Sequence, residues 1–146
     1  EAEWEKAARG PSPSENIYPW GDSEANCILA NYSGCTDDTE EVGSHPTGAS
    51  YYGLMDMAGN VRHWVNDWYL DTYYQACDNA NCADPSCDVL GVGGKCVDPQ
   101  GPVTGSIRVM RRSSWNVTAA GTRVSRRNGN NMSDSNPDSG FRCVKD

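Results

Sequence analysis

Phenylalanine is almost missing from this chain, histidine is scarce, and long apolar runs are absent from all 146 residues. The single Phe leaves the bulky part of any core to other aromatics, and the two histidines, His45 and His63, are too few for a three-histidine metal centre. Because no stretch of about 18 apolar residues occurs, the sequence encodes no membrane-spanning helix. Basic residues are outnumbered as well: 12 Lys and Arg stand against 20 Asp and Glu, a net charge of −8. Nucleic-acid binding needs a basic face against the phosphates, so no nucleic-acid partner is expected.

What the chain does have is five Trp, seven Tyr, 15 Gly and 8 Pro. Aromatics therefore carry much of the packing, between turns rich in Gly, Pro, Asn, Asp and Ser. Large aromatics recur in every third of the chain, which excludes wholesale disorder. The expected fold is an irregular, loop-rich α+β domain with few short helices and strands. One basic cluster stands out: Arg108, Arg111, Arg112, Arg123, Arg126 and Arg127. It reads either as a local anion site or, more commonly for such a set, as arginines paired with nearby acids.

Seven cysteines complete the inventory. Cys27 and Cys35 bracket "CILANYSGC" and are expected to bridge. Cys77, Cys82, Cys87 and Cys96 crowd "CDNANCADPSCDVLGVGGKC", where two bridges are expected and three connectivities stay open. Zinc is disfavoured because those spacings contain no CxxC pair. Disulfides imply an oxidising compartment. Cys143 is the odd one, either a free thiol or half of a bridge to a cysteine elsewhere.

"EAEWEKAARG" reads as a helix from its first residue, with Trp4, Ala7 and Ala8 on one face and Gly10 closing it. No N-cap precedes Glu1, so the sequence is expected to start inside a motif, with an absent N-terminal portion as the place to seek the partner of Cys143. A Pro-rich loop then leads to the turn Tyr18-Pro19-Trp20-Gly21. "VRHWVNDWY" reads as a strand with alternating burial, "IRVMRRSSW" as a second, "GTRVSRRN" as a strand or short helix, and "SGFRCV" as a final strand. Without repeats or low-complexity linkers, residues 1–146 read as part of one domain, with a Cys-rich insert at 70–100.

The densest segment is "GLMDMAGNVRHWVNDWY", residues 53–69, where turn residues, oxygen donors and tryptophans interleave. In order along the chain, EAEWEKAARG, YPWGD, ANYSG, VGSHP, YGLMDMAGNVRHWVNDWY, RVMRRSSW and GFRCV resemble the formylglycine-generating enzyme (sulfatase-modifying factor) family. The likeness covers nearly everything outside the 70–100 insert. It implies an irregular fold related to C-type lectins, often stabilised by calcium, of which this sequence is the C-terminal portion. It also implies that Arg-Leu-Pro-Thr precedes the first helix, the Thr being its N-cap, and that Cys143 bonds to a cysteine upstream of that helix.

The resemblance further implies two calcium sites. At the Gly-Asn turn, Asp56 would supply a side-chain oxygen, Gly59 and Val61 backbone carbonyls, and the residue at 63 a carboxylate. Calcium takes six to eight oxygens, which such a turn can offer. Here, however, His63 stands where the family has glutamate, and a hard cation has little use for imidazole. The alternative is a tight turn with Trp64 and Trp68 in the core. The second site resembles a shortened loop in which Asn31, the Tyr32 carbonyl and a carboxylate from Asp37 or Asp38 would hold calcium, closed by the Cys27–Cys35 bridge. Its alternative is an Asx-turn in a disulfide loop. Asn31, Asn116 and Asn131 also begin N-x-Ser/Thr triplets, which an Asn-rich chain produces by chance.

The family oxidises a substrate cysteine with copper(I) held between two thiolates that follow a Gly-Gly-Ser-Trp/Tyr motif. Here the matching segment is "RRSSWNVTAAGTRVSRR", which holds no cysteine, and the Gly-Gly is replaced by Arg112-Ser113. No copper site of that kind is expected, and the chain leans away from being an enzyme. No other catalytic constellation stands out, and His45 in its Ser-His-Pro turn suits a structural role.

Two readings follow. In the first, this is a non-catalytic, calcium-stabilised extracellular or cell-surface module. It would recognise protein, peptide or glycan through residues 115–139, with Trp115, Asn116, Arg123, Arg126, Arg127, Asn130 and Asn131 as candidates. Related lectin-fold proteins diversify this C-terminal stretch for ligand binding. The second is a secreted metal-dependent oxidoreductase whose metal ligands lie outside this segment. The bacterial style of "ANYSGC" and "YGLMDMAGNV" points to a periplasmic or cell-surface location.

Overall fold

The computed structural model describes residues 1–74, 99 and 101–143. The first helix, α1, spans Ala2–Arg9 and ends at Gly10, whose φ of 99° suits a residue without a Cβ. Glu3 and Glu5 lie in its first turn and Lys6 and Arg9 in its last, the arrangement the helix dipole favours. Glu5 and Arg9 pair at 2.7 Å one turn apart, and Glu1 at the N-cap makes no side-chain capping bond. The expected apolar face packs as its spacing predicts: Ala8 clusters with Met57 and Val124, with Trp4, Ala7 and Leu54 against them.

Among the described residues four strands, β1 (Arg62–Trp68), β2 (Arg108–Arg111), β3 (Arg127–Asn130) and β4 (Ser139–Gly140), form one sheet in the order β3-β2-β1-β4. β1 pairs antiparallel with β2, which pairs antiparallel with β3. The short β4 lies parallel to β1. Single 3-10 turns at Pro46–Gly48 and Ala119–Thr122 complete the regular structure of the described residues.

The sheet departs from the sequence reading in three places. Strict alternation in β1 gives way to a bulge between Trp64 and Trp68, and only His63 of its residues is fully buried. "GTRVSRRN" divides, because Val124 turns into the core and strand pairing starts only at Arg127. The final strand stops at Gly140, and Phe141 to Cys143 are exposed.

Cys27 and Cys35 form the expected disulfide, with Cα atoms 5.5 Å apart. The bridges expected among Cys77, Cys82, Cys87 and Cys96 lie outside the described residues. The interior is unusually polar: Asn31, Asn60, His63, Arg111, Arg112, Ser113, Ser114, Thr122 and Asp138 are all buried. Hydrogen bonds and ion pairs between loops therefore do much of the holding, since each buried polar group needs a partner.

Candidate functional site

The 53–69 segment folds into a hub. Asp56, Gly59 and Asn60 take left-handed backbone angles of 56°, 68° and 62°. Gly59 is required there, because a Cβ would lie 2.1 Å from the Asn31 carbonyl oxygen. Asn60, buried, then clasps three loops at once. Its N–H donates to the Asn31 carbonyl at 2.7 Å, and its carbonyl accepts from Trp115 N at 2.8 Å. Its amide exchanges two 3.0 Å hydrogen bonds with the backbone of Glu40. The sequence reading used Asn60 only as a turn marker, although the Gly-Asn pair was the available signal.

His63 lies at the centre, 4% exposed. Trp4 Nε1 donates to its Nδ1 at 3.2 Å, and Arg112 Nη1 lies 2.6 Å from its Nε2. Both neighbours are donors only, so a neutral ring can accept from one of them and a protonated ring from neither. Burial, then the charges of Arg112 and Arg142, push the His63 pKa down to about 2. Arg112 is itself buried, and it also donates to the Asp56 carbonyl. Its Nε and Nη2 have no hydrogen-bond partner. Burial lowers its pKa to about 9 against the pull of the Asp56 carboxylate, so it stays charged at neutral pH.

This arrangement does not fit calcium at the turn. Position 63 offers nitrogen, the Asp56 carbonyl faces a guanidinium, and Asp56 Oδ2 accepts from Gly43 N at 2.8 Å. A buried arginine beside these groups also repels a divalent cation. Gly59 is hemmed in by Asn31, and Val61, half-buried, packs near Gly140.

The 31–38 loop is different, because every candidate donor there is oxygen. Asn31 is fully buried; its Oδ1 accepts from Thr36 at 2.9 Å and its Nδ2 donates to the Asp38 carbonyl at 2.7 Å. Asp37 and Asp38 are exposed beside it, accepting from Gly34 N and Thr39 N. The Tyr32 hydroxyl points away, donating to the Ala25 carbonyl at 3.2 Å. Among the described residues no three His, Cys, Asp or Glu side chains converge as a metal cluster. Any calcium held here would rest on amide and backbone oxygens as well as carboxylate.

Residues 115–139 are pinned from beneath. Ser114 Oγ lies 2.7 Å from both Asp138 Oδ2 and Asn116 Oδ1, and Asp138 also pairs with Arg62 at 3.2 Å. Ser114 thereby ties Asn116 to Asp138, near the two ends of this stretch. Within the same segment, Asn116, Arg123, Arg126 and Asn131 are exposed and Trp115 and Asn130 half-buried. Asn130 sits opposite Arg108 at one end of the β2–β3 ladder, and Arg127 opposite Arg111 at the other.

The basic cluster separates into two kinds. Arg111 is buried against Glu1 at 2.7 Å and Glu5 at 2.9 Å, and Arg127 joins Glu1 at 2.8 Å while lying over the Tyr69 and Tyr74 rings. Burial would raise the Glu1 carboxyl, but the Arg127 hydrogen bond and the charges of both arginines outweigh it and hold the pKa low. Arg108 stacks on Trp68, 3.5 Å from the ring centre. Of these six arginines, Arg123 and Arg126 are the exposed ones, and neither has an ion pair among the described residues. His45 is a clasp, its ring nitrogens 2.5 Å from Glu40 and 3.1 Å from the Ile28 carbonyl.

Among the described residues, one α-helix, a curled sheet and long loops braced by buried polar groups define an irregular α+β domain of the C-type-lectin-like kind. All of residues 1–146 match the sulfatase-modifying factor enzyme 1-like domain, and the chain belongs to that family. It is 37% identical over 145 residues to the serine/threonine-protein kinase pkn1 of Chlamydia caviae, covering 99% of this chain and 20% of the kinase. It is 34% identical over 160 residues to the formylglycine-generating enzyme of Streptomyces coelicolor, covering 100% of this chain and 45% of the enzyme. Among solved structures, Treponema denticola variable protein 1 superposes with a TM-score of 0.69 at 28% identity, over 96% of this chain and 44% of that one. The chain thus spans from a fifth to just under half the length of these relatives.

Proposed function

We propose that this domain is a non-catalytic, calcium-stabilised binding module of the bacterial cell surface or periplasm, recognising protein, peptide or glycan through residues 115–139. The observation that carries the reading is the contrast within that segment. Asn116, Arg123, Arg126 and Asn131 are exposed, while Thr122, Val124 and Asp138 are buried and fix the backbone. Short polar and basic side chains on a pinned backbone bind with little ordering entropy. No cysteine lies between residues 113 and 126 to bind copper(I) as a thiolate pair. Calcium is assigned to the 31–38 loop, where the donors are oxygens. Cys143, exposed and unpaired among the described residues, is assigned a partner cysteine elsewhere in the same protein.

The test is a glycan, peptide and protein interaction screen with the full-length protein, repeated with Arg123→Ala and Arg126→Ala together. Specific binding that weakens at least about tenfold in the double variant supports the reading, since two interfacial arginines contribute more than about 1.4 kcal/mol. Binding that ignores both substitutions contradicts it. The similarity to a formylglycine-generating enzyme favours one alternative, a secreted oxidoreductase whose metal ligands lie outside this segment. Oxygen consumption with a cysteine-containing peptide would establish that alternative.

A further inference from the structure

The buried guanidinium of Arg112 plays no part in the function proposed above. Its backbone has a φ of 76°, a region that residues other than glycine seldom adopt, and its side chain is almost fully buried. We propose that Arg112 is an internal cation that takes the place of a calcium ion in the 56–63 turn, so that this turn binds no calcium.

The contacts argue for it directly. Arg112 Nη1 reaches two groups at once, the Asp56 carbonyl and His63 Nε2, the latter at 2.6 Å. They belong to the two residues whose side chains the family resemblance makes calcium ligands, and Arg112 meets one through its backbone oxygen and the other through its ring. The change at 63 and the arrival of Arg112 also balance in charge. A glutamate with a calcium ion leaves one net positive charge, and a neutral imidazole with a guanidinium leaves the same. His63 must be uncharged here, because Trp4 and Arg112 both present donors to it. The Asp56 carboxylate, which would otherwise face a metal, attracts the guanidinium. Glycine at 112 could not supply this cation, whereas Arg112 buries its side chain from a left-handed backbone there.

The test is calcium stoichiometry of the full-length protein by native mass spectrometry, read as a difference between variants. Asp56→Ala is expected to leave the calcium count of the parent unchanged. His63→Glu combined with Arg112→Gly is expected to add one calcium. Loss of a calcium in Asp56→Ala overturns the proposal, as does a folded double variant that gains none. If the double variant does not fold, melting in chelator decides. Arg112→Lys, which keeps the charge, should lose clearly less Tm than Arg112→Met, and equal losses overturn the proposal. Calcium at the 31–38 loop, or its absence, shifts none of these differences.

Discussion

Replacing Arg111 with Met removes a buried cation that ties α1 to β2. The guanidinium is 1% exposed and makes three hydrogen bonds: to Glu1 at 2.7 Å, to Glu5 at 2.9 Å and to the Val124 carbonyl at 2.6 Å. Methionine fills most of the volume but offers no donor. Removing one partner of a buried ion pair costs about 3–5 kcal/mol when the other is stranded. Glu1 is not wholly stranded, because Arg127 still donates to both of its carboxylate oxygens, at 2.8 and 3.0 Å. The Glu5 side chain is 31% exposed and can return to water, so its pair adds little. The Val124 carbonyl loses its side-chain donor at about 1 kcal/mol. The low end of the range therefore applies, about 3 kcal/mol, or a fall in Tm of roughly 10 °C for a domain of this size. Equilibrium urea unfolding of the parent and Arg111→Met measures it. A loss below about 1 kcal/mol would refute the view that this buried network holds α1 to the sheet.

Other perturbations test separate parts of the account. Cys27→Ser with Cys35→Ser opens a loop with a sequence separation of 8, and should lower stability by about 2.5 kcal/mol in thermal or denaturant melts. Gly59→Ala forces a Cβ toward the Asn31 carbonyl from a positive φ, and should cost roughly 3 kcal/mol or more, or leave soluble yield close to zero. His63 has an ordinary pKa of 6.5, pushed down to about 2 mainly by burial, so below pH 6.5 the unfolded chain binds the proton and the folded one does not. Stability should therefore be full above that pH and fall as the pH drops toward 2, by about 2 kcal/mol between neutrality and about pH 5. His63→Gln should remove that part of the acid slope in urea melts across the range.

Much of the architecture was legible because it rests on local pattern. α1 follows from its alanines, the sign order of its charges and the terminal Gly10. β1 and β2 follow from apolar residues spaced for a sheet, and the Cys27–Cys35 bridge from a short loop with a cysteine at each end. The bulge in β1 was not legible, because it is a shift of register against β2, about 40 residues further along the chain. Nor was the shortness of the last strand, since β4 pairs with β1 for only two residues.

The candidate site was less legible, for a physical reason. Asn60 gains its role from loops at 31, 40 and 115 that meet only in space. In sequence, Arg112 registered as a lost glycine and His63 as a lost glutamate, two separate departures from a family pattern. Only the fold places them 2.6 Å apart and turns the pair into one compensated change. Charge in the arginine cluster was likewise visible, but which members pair was not: Arg111 and Arg127 share Glu1, more than 100 residues distant in the chain.

The most direct measurement is elemental analysis of the purified full-length protein for calcium and copper together, with and without chelator. The account predicts no copper and about one calcium for this domain, lost when the 31–38 loop is altered at Asn31 and Asp38. Stoichiometric copper would contradict it and establish an oxidase whose ligands lie outside residues 113–126.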